Sequence, residues 1–368
     1  MKKVIKFLKK NSVPVMFVII CAICIPISGL SATFILNEVM TRLTKNAFLI
    51  LSLLIPIMAG MGLNFGITLG AMAGEIALVL VSDWQIWGIP AIILACIISI
   101  PMSALFGWFS GKILNMAKSR EMVTSYILSY FMNGLYTMLM LYAMGTIIPI
   151  KHFTIKLPRG YGIRSTVSME HNRQCIDNLI SFTVGGVKFP VVTLLLIVAM
   201  CLFITWFKKT KLGQDMRAVG QDMEVARSAG IDVEKTRVIA MMISTVMAGI
   251  GMIMYIQNLS SFATYTAHAN VGMFAIAALL IGGASVDKAS ISNVFVGVAL
   301  FHTLFIVAPT VGNKLTGSAV IGEYSRVFVS YAVITIALIM YEVNKRKQKS
   351  NAETLSEYTK KKQEEEGK

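Results

Sequence analysis

The amino-acid sequence predicts an all-α, polytopic membrane protein: a bundle of about ten transmembrane helices. Its 368 residues are 55% hydrophobic and only 14% charged, and the mean hydropathy is +0.69. A soluble protein carries about 25% charged residues, so this chain has too few charges to cover a water-facing surface. Because apolar stretches recur along nearly the whole chain, we predict one transmembrane domain rather than several globular domains.

Ten apolar stretches lead to the count of spans. Eight are near the roughly 20 residues that cross a bilayer, at 13–34, 65–82, 86–109, 122–148, 190–207, 238–256, 291–310 and 326–342. Two more, at 47–61 and 272–284, are shorter, and either is open to being a half-helix or a kinked helix. We count both because the distribution of charges requires them. The first stretch lacks a small-x-small cleavage site, so we expect an uncleaved span rather than a signal peptide.

The positive charges predict the orientation. With a cytoplasmic start, most Lys and Arg residues fall in segments that face the cytoplasm, and this places both termini inside. The predicted organisation is a basic cytoplasmic N-terminus (1–12), a transmembrane domain (13–342) and a charged tail (343–368) that cannot bury a core and is expected to be disordered. Within the transmembrane domain, residues 149–189 form an extracytoplasmic segment and residues 208–237 a cytoplasmic loop.

Several classes of function are disfavoured. The net charge of +15 is spread between apolar stretches and both termini rather than gathered on one basic face, so we expect no nucleic-acid partner. The four histidines lack the spacing of metal ligands, and we predict no metal site. No G-x-x-x-x-G-K-[ST] motif occurs, and no clustered acid, base and nucleophile is visible. We therefore predict a chain without catalytic residues, cofactor or ATP site of its own.

The stretch that starts at Gly62 predicts a helix with two faces. Its glycines recur every four residues, the small-xxx-small pattern that lets helices approach closely in lipid: Gly62, Gly66, Gly70 and Gly74. Asn64, Thr68 and Glu75 lie on another face. A carboxyl at membrane depth marks a cavity or pathway by default, although Glu75 could instead pair or reach the membrane interface.

A second polar face occurs within 122–148. Tyr126, Tyr130, Asn133 and Thr137 follow a helical spacing and lie within about 60° of one another. Aromatic and amide groups on one face can stack on and hydrogen-bond a ring-bearing polar solute. The same groups can also join helices in lipid by hydrogen bonds, so both interpretations stay open here.

The loop 208–237 contains the run MRAVGQDMEVARSAGIDVEKTR. Gln221, Asp222 or Met223 can open a short helix, and Gly230 can end it. This run resembles the coupling loop of permease subunits from ABC importers of the branched-chain amino acid, ribose, simple sugar and nucleoside group. The resemblance implies that the residues that contact and couple to the ATPase are Arg217, Gly220, Glu224, Ala226, Ala229 and Gly230.

The resemblance also implies partners and a location. Two permeases, identical or related, would face each other in a bacterial-type cell membrane around a path for a small polar solute, such as a simple sugar or a nucleoside. Cytoplasmic ABC ATPase subunits would use ATP and Mg, and an extracytoplasmic binding protein would deliver the solute. Thr68, Gly70 and Ser129 depart from the pattern of nucleoside-type members. The residues themselves leave open a different function, an ion-coupled secondary transporter that uses Glu75.

Overall fold

The computed structural model of the chain describes residues 12–118, 120–158 and 160–328, together with residues 331, 332, 335, 336, 339 and 343. The predicted N-terminus (1–12) lies outside the described residues except for Ser12. The predicted tail (343–368) lies outside them except for Val343, and part of the predicted span 326–342 also does.

Helices make up most of the described chain. They are α1 (Ser12–Ser28), α2 (Ala32–Ser52), α3 (Leu54–Met58), α4 (Ile67–Asp83), α5 (Ile89–Met116), α6 (Glu121–Met138), α7 (Val191–Phe207), α8 (Lys211–Gln221), α9 (Met223–Ser228), α10 (Val233–Ile256), α11 (Val271–Ile281) and α12 (Ile291–Thr316). A π-helical turn, Leu139–Ala143, extends α6, and residues 319–328 are helical as well.

Length and composition identify fewer spans than the sequence predicts. Four helices of the described chain are long and apolar enough to cross a bilayer, with α2 and α3 counted as one. A fifth is added if α7 and α8, bent by 74° at their junction, form one broken span. The mostly helical bundle is confirmed, whereas the count of ten spans stays a prediction.

The first predicted span is wrong at its end. Instead of one helix over 13–34, α1 ends at Ser28 and α2 begins at Ala32. Gly29 has a φ of +67°, which ends α1 without the steric cost another residue would incur. Ser31 then caps α2 by accepting a hydrogen bond from the backbone N–H of Phe34.

The short stretch predicted at 47–61 is the second half of a longer helix. The sequence places the charged residues before it in a loop, yet α2 includes Glu38, Arg42 and Lys45. Their charges are accommodated by neighbours: Arg42 lies 3.8 Å from Glu38, and its guanidinium lies over the ring of Phe305. The Lys45 ammonium lies 4.7 Å from the centre of the Tyr255 ring. Cation–π contacts of this kind stabilise a cation away from water.

The break between α2 and α3 has a defined cause. Pro56 lacks a backbone N–H and therefore cannot bond the carbonyl of Ser52, four residues earlier. The hydroxyl of Ser244, on α10, donates to that carbonyl at 2.8 Å. A side chain from a neighbouring helix thus satisfies the backbone group that the proline leaves free.

Helix α10 lies at the centre of the bundle, against α4 and α5. It can approach α4 closely because glycines at the contacts have no side chain. A Cβ added at Gly70 would lie 2.2 Å from the carbonyl oxygen of Thr245, and one added at Gly74 would lie 2.6 Å from that of Gly249. The predicted glycine face therefore lies against α10 at these two positions. Gly62 and Gly66 precede α4 rather than belonging to it, since the helix starts at Ile67.

The segment 149–189 contains short strands that the sequence does not predict. Strand β1 (Thr166–Ser168) pairs antiparallel with β4 (Ser261–Ala263), which follows α10, and β2 (Ser181–Val184) forms a hairpin with β3 (Val187–Pro190). The backbone N–H of Thr264 continues the first pairing by donating to the carbonyl of Ser165 at 2.9 Å. The β1–β4 pair thus fixes the start of the loop between α10 and α11.

The close approach of α4 and α10 can be tested by replacing a glycine of α4. We expect Gly70→Leu to lower the Tm of the detergent-purified protein by several degrees, because the new side chain collides with the backbone of α10 and overpacking costs about 1–3 kcal/mol or more. Gly134→Leu is the matched control, since Gly134 also lies inside a helix but a Cβ there meets nothing within 4 Å. Equal Tm values for the two variants would contradict the close approach of α4 and α10.

Candidate functional site

A half-open pocket lies between α4, α6 and the loop that precedes α11. Its polar and aromatic lining includes Thr68, Tyr126, Ser129, Tyr130, Asn133, His268, Asn270 and Tyr331. Four residues of the predicted path, Thr68, Tyr126, Tyr130 and Asn133, therefore lie at one pocket. Their role in solute contact stays a prediction.

The tyrosines form an aromatic wall. The rings of Tyr126 and Tyr130 meet edge to face with their centres 4.8 Å apart, and their hydroxyls lie 3.1 Å apart. Phe65 meets Tyr126 in the same way at 5.0 Å. Tyr130 is 61% exposed, so its ring is available to a flat solute.

Behind the pocket, Glu75 is fully buried and bonded to two residues distant in sequence. Its Oε2 atom accepts a hydrogen bond from the Tyr136 hydroxyl at 2.7 Å and lies 2.8 Å from Nδ1 of His268. The other imidazole nitrogen, Nε2, lies 2.7 Å from Oδ1 of Asn133. The Tyr136 hydroxyl is also 2.8 Å from the carbonyl oxygen of Thr264. Glu75 does not line the pocket but reaches it through His268.

Helix α6 faces the bundle with a stripe of polar residues at a spacing of three or four. Ser125 accepts a hydrogen bond from the backbone N–H of Phe65 at 3.1 Å, and Ser129 is hydrogen-bonded to the Thr68 hydroxyl. The other members of the stripe are Glu121, Asn133 and Tyr136. The spacing of these polar residues is visible in the sequence, but the sequence analysis singled out the neighbouring face with Tyr126 and Tyr130 and missed this stripe.

Two residues of the predicted path lie elsewhere. Asn64 is buried beside α10, with its Nδ2 against the sulfur of Met241, and its Oδ1 accepts from the backbone N–H of Gly66 at 2.7 Å. Thr137 donates to the backbone carbonyl of Asn133 within α6. The structure thus places Asn64 at the start of α4 and Thr137 within its own helix, and neither lines the pocket.

The loop 208–237 contains two helices where the sequence predicts one. Helix α8 is followed directly by α9, and Asp222 caps α9 by accepting from the backbone N–H groups of Glu224 and Val225. Helix α9 therefore starts at Met223, one of the predicted positions, and α10 begins at Val233 instead of 238. Gly230 ends α9 with a φ of +82°, and the N–H of Ile231 donates to the carbonyl of Ala226, as in a Schellman cap.

Gly220 lies where α8 touches the end of α3. A Cβ added at Gly220 would lie 2.3 Å from the carbonyl oxygen of Met58, and one added at Gly60 would lie 2.9 Å from the Cα of Gly220. A movement of α8 would therefore push directly against the end of α3.

The surface of the loop is exposed and charged. Arg217, Glu224, Ala229 and Gly230 are exposed, and only Ala226 of the predicted coupling residues is buried, in a small apolar cluster with Val219 and Val233. Beside this surface, burial and then the nearby Arg217 guanidinium lower the pKa of Lys208. The exposed side chains are free to contact another protein.

A buried ion pair joins this loop to the pocket helix. The guanidinium of Arg237, on α10, is fully buried and bonded to the carboxylate of Glu121 at the start of α6. Its Nη1 atom is also 3.7 Å from the sulfur of Met223, at the start of α9. Arg237 thus contacts the short loop helix and the helix that carries the pocket tyrosines.

Comparisons with known proteins identify one family that covers most of the chain. The family described as "Branched-chain amino acid transport system / permease component" matches residues 31–339. The nucleoside ABC transporter permease protein NupB of Lactococcus lactis is 24% identical over 91% of this chain and 88% of its own. The xylose transport system permease protein XylH of Haemophilus influenzae is 31% identical over 32% of each chain.

Two further similarities are more limited. The guanosine ABC transporter permease protein NupQ of Bacillus subtilis is 36% identical over 27% of this chain and 32% of its own. Among solved structures, an inward-facing chain of the metal-chelate ABC transporter type aligns with a TM-score of 0.46 at 13% identity, over 89% of this chain and 99% of that one.

The burial of the Arg237–Glu121 ion pair can be tested by replacing one partner. We expect Arg237→Met to lower the stability of the purified protein by about 3–5 kcal/mol, because it leaves the Glu121 carboxylate buried without a partner. Adding Glu121→Gln should restore part of the loss. The control is Lys118→Met, which breaks the exposed Lys118–Glu234 pair and should change the Tm little. Thermal unfolding in detergent measures all three, and an Arg237→Met variant as stable as the control would contradict a buried pair.

Proposed function

The chain belongs to the family of branched-chain amino acid transport system permease components, and we propose that it forms half of the translocation path of an ATP-driven importer. It is an ABC transporter permease, a transport subunit rather than a catalytic one. The family membership does not favour the alternative of an ion-coupled secondary transporter. The observation that carries the proposal is the Arg237 contact, through which the exposed loop helix α9 reaches the pocket helix α6.

The partners follow from this proposal. A cytoplasmic ABC ATPase would bind the exposed face of α8 and α9, and it would use the ATP and Mg for which this chain predicts no site. A second permease, identical or related, would complete the path across the exposed tyrosine face of α6. Both termini would lie in the cytoplasm, and the protein would span a bacterial cell membrane.

A binding protein would deliver the solute to the segment 149–189. The basic residues Lys151, Lys156 and Lys188 lie on this segment, and only one of its two acidic residues, Glu170, is exposed. Asp177 is buried and bonded to Thr193 and Gln257, so its charge is directed inward. The outer surface is therefore more basic than the sequence alone indicates, and it would suit an acidic rim on a binding protein.

The proposed solute is a small polar molecule with a flat ring, and we favour a nucleoside. Tyr126 and Tyr130 offer ring faces for stacking, and Asn133 offers an amide for hydrogen bonding. The nucleoside permease NupB aligns with nearly the whole chain. A simple sugar is the second candidate, because XylH aligns with a third of the chain at higher identity.

Reconstitution tests the coupling. The permease would be placed in proteoliposomes with its ATPase and binding protein, and nucleoside uptake and ATP hydrolysis would be measured together. We expect Gly220→Val to reduce uptake per ATP hydrolysed by about tenfold or more, because the side chain displaces α8 from Met58. The expected fall corresponds to about 1.4 kcal/mol of lost coupling.

A matched pair of glycines separates coupling from backbone strain. Gly230 and Gly317 both have a positive φ and nothing within 4 Å of an added Cβ, so their replacement by Ala causes similar strain. Only Gly230→Ala should reduce uptake per ATP hydrolysed, since Gly317 ends α12 and lies outside the loop 208–237. Uptake without any ATPase subunit, or normal coupling in both loop variants, would contradict the proposed function.

A further inference from the structure

The Asn133 amide turns its oxygen toward the buried pair of Glu75 and His268. A carbonyl oxygen can only accept a hydrogen bond. Since Nε2 of His268 lies 2.7 Å from Oδ1 of Asn133, Nε2 must carry a hydrogen and donate it. The Asn133 carbonyl is thereby occupied.

As long as Oδ1 of Asn133 faces Nε2, the shared proton of the pair can sit on either side without changing this hydrogen bond. Nδ1 of His268 lies 2.8 Å from Oε2 of Glu75, and one proton lies between them. If it is on Nδ1, the pair is an imidazolium and a carboxylate. If it is on Oε2, the pair is a neutral imidazole and a carboxylic acid. In both states Nε2 keeps its hydrogen and donates to Asn133.

The pair is held in place from behind. Glu75 and His268 are both fully buried, and Tyr136 donates toward Oε2 of Glu75. The Tyr136 and His268 rings also meet edge to face with their centres 4.5 Å apart. The imidazole is therefore fixed at both nitrogens and on its ring, as an orienting group needs to be.

We propose that Asn133 is a specificity-determining residue, oriented by the Glu75–His268 pair so that the pocket presents an amide NH₂ to the solute. This inference rests on the proposed function, because it describes the same pocket. An NH₂ group only donates, so the solute it matches carries an exocyclic acceptor at that position, such as a ring carbonyl oxygen. A ring amino group at the same position would meet a second donor.

The test is Asn133→Asp, which keeps the size of the side chain and an oxygen for His268 but replaces the NH₂ with an acceptor. Uridine and cytidine are suitable probes, because uridine carries an exocyclic oxo group where cytidine carries an amino group, and the neighbouring ring nitrogen changes from a donor to an acceptor. Uptake of each would be measured in proteoliposomes with the ATPase and with enough nucleoside to saturate the binding protein. The variant is compared with the wild type for each probe, so the preference of the binding protein cancels.

We expect Asn133→Asp to shift the uridine-to-cytidine ratio toward cytidine by about tenfold, the effect of one hydrogen bond exchanged for a mismatch. Thr137→Val is the control. Its hydroxyl bonds only the backbone of Asn133 among the contacts of the described chain, so the ratio should not change. An unchanged ratio in Asn133→Asp, or an equal shift in the control, would overturn the inference.

A second variant covers the case in which Asn133→Asp does not fold. His268→Phe combined with Glu75→Gln keeps a ring beside Tyr136 and leaves no unpaired carboxylate, but it removes the donor at Nε2, so the Asn133 amide can turn and the uridine-to-cytidine ratio should fall below the wild-type value. A ratio that stays at the wild-type value would overturn the orienting role of His268. Failure of the wild type to import any nucleoside or pentose with its ATPase would instead refute the proposed function, so the two failures are distinguishable.

Discussion

A carboxyl group buried inside a protein must be paired, and the pairing of Glu75 organises the described structure around the pocket. An unpaired buried charge costs several kcal/mol. The partners of Glu75 come from two separate segments, Tyr136 on α6 and His268 in the loop before α11. Pairing one oxygen of this buried carboxyl therefore brings together the residues that surround the pocket.

Helix α10 joins the pocket to the loop that resembles a coupling segment. Its 24 residues correspond to about 36 Å at 1.5 Å per residue, enough to extend through the bundle. Arg237, near its start, contacts Met223 and Glu121, and the strand that follows its end positions Thr264 and His268. The glycine contacts between α4 and α10 leave little room for the two helices to slide past each other. In the proposed importer, α10 and its neighbours would move as a unit when the loop helices move.

The sequence predicted the features that depend on local pattern. Apolar stretches located most helices, and the helical spacing of Tyr126, Tyr130 and Asn133 placed them on one face. Asp222 and Gly230 gave the limits of α9, because caps are local chemistry. The resemblance of the loop 208–237 to a coupling loop also depends on a contiguous run of residues, and the family membership of the chain supports it.

Features that depend on distant partners were missed. Glu75 and His268 are 193 residues apart and Glu121 and Arg237 are 116 apart, and neither separation has a local signature. The charged residues of α2 were predicted to lie in a loop. Their stabilising partners, the rings of Phe305 and Tyr255, belong to other helices and are not visible in the local sequence around Arg42 and Lys45. Asn64 looked like a pathway residue because its bonds to Gly66 and Met241 cannot be read from a helical wheel.

The most direct test of the account is to purify the tagged protein from its native membranes in a mild detergent and identify every polypeptide that accompanies it. We expect an ABC ATPase subunit in the complex, and we expect it to be lost when Gly220 and Gly230 are both replaced by bulky residues. Recovery of the protein alone or as a simple homo-oligomer, under conditions that preserve other ABC complexes, would contradict it.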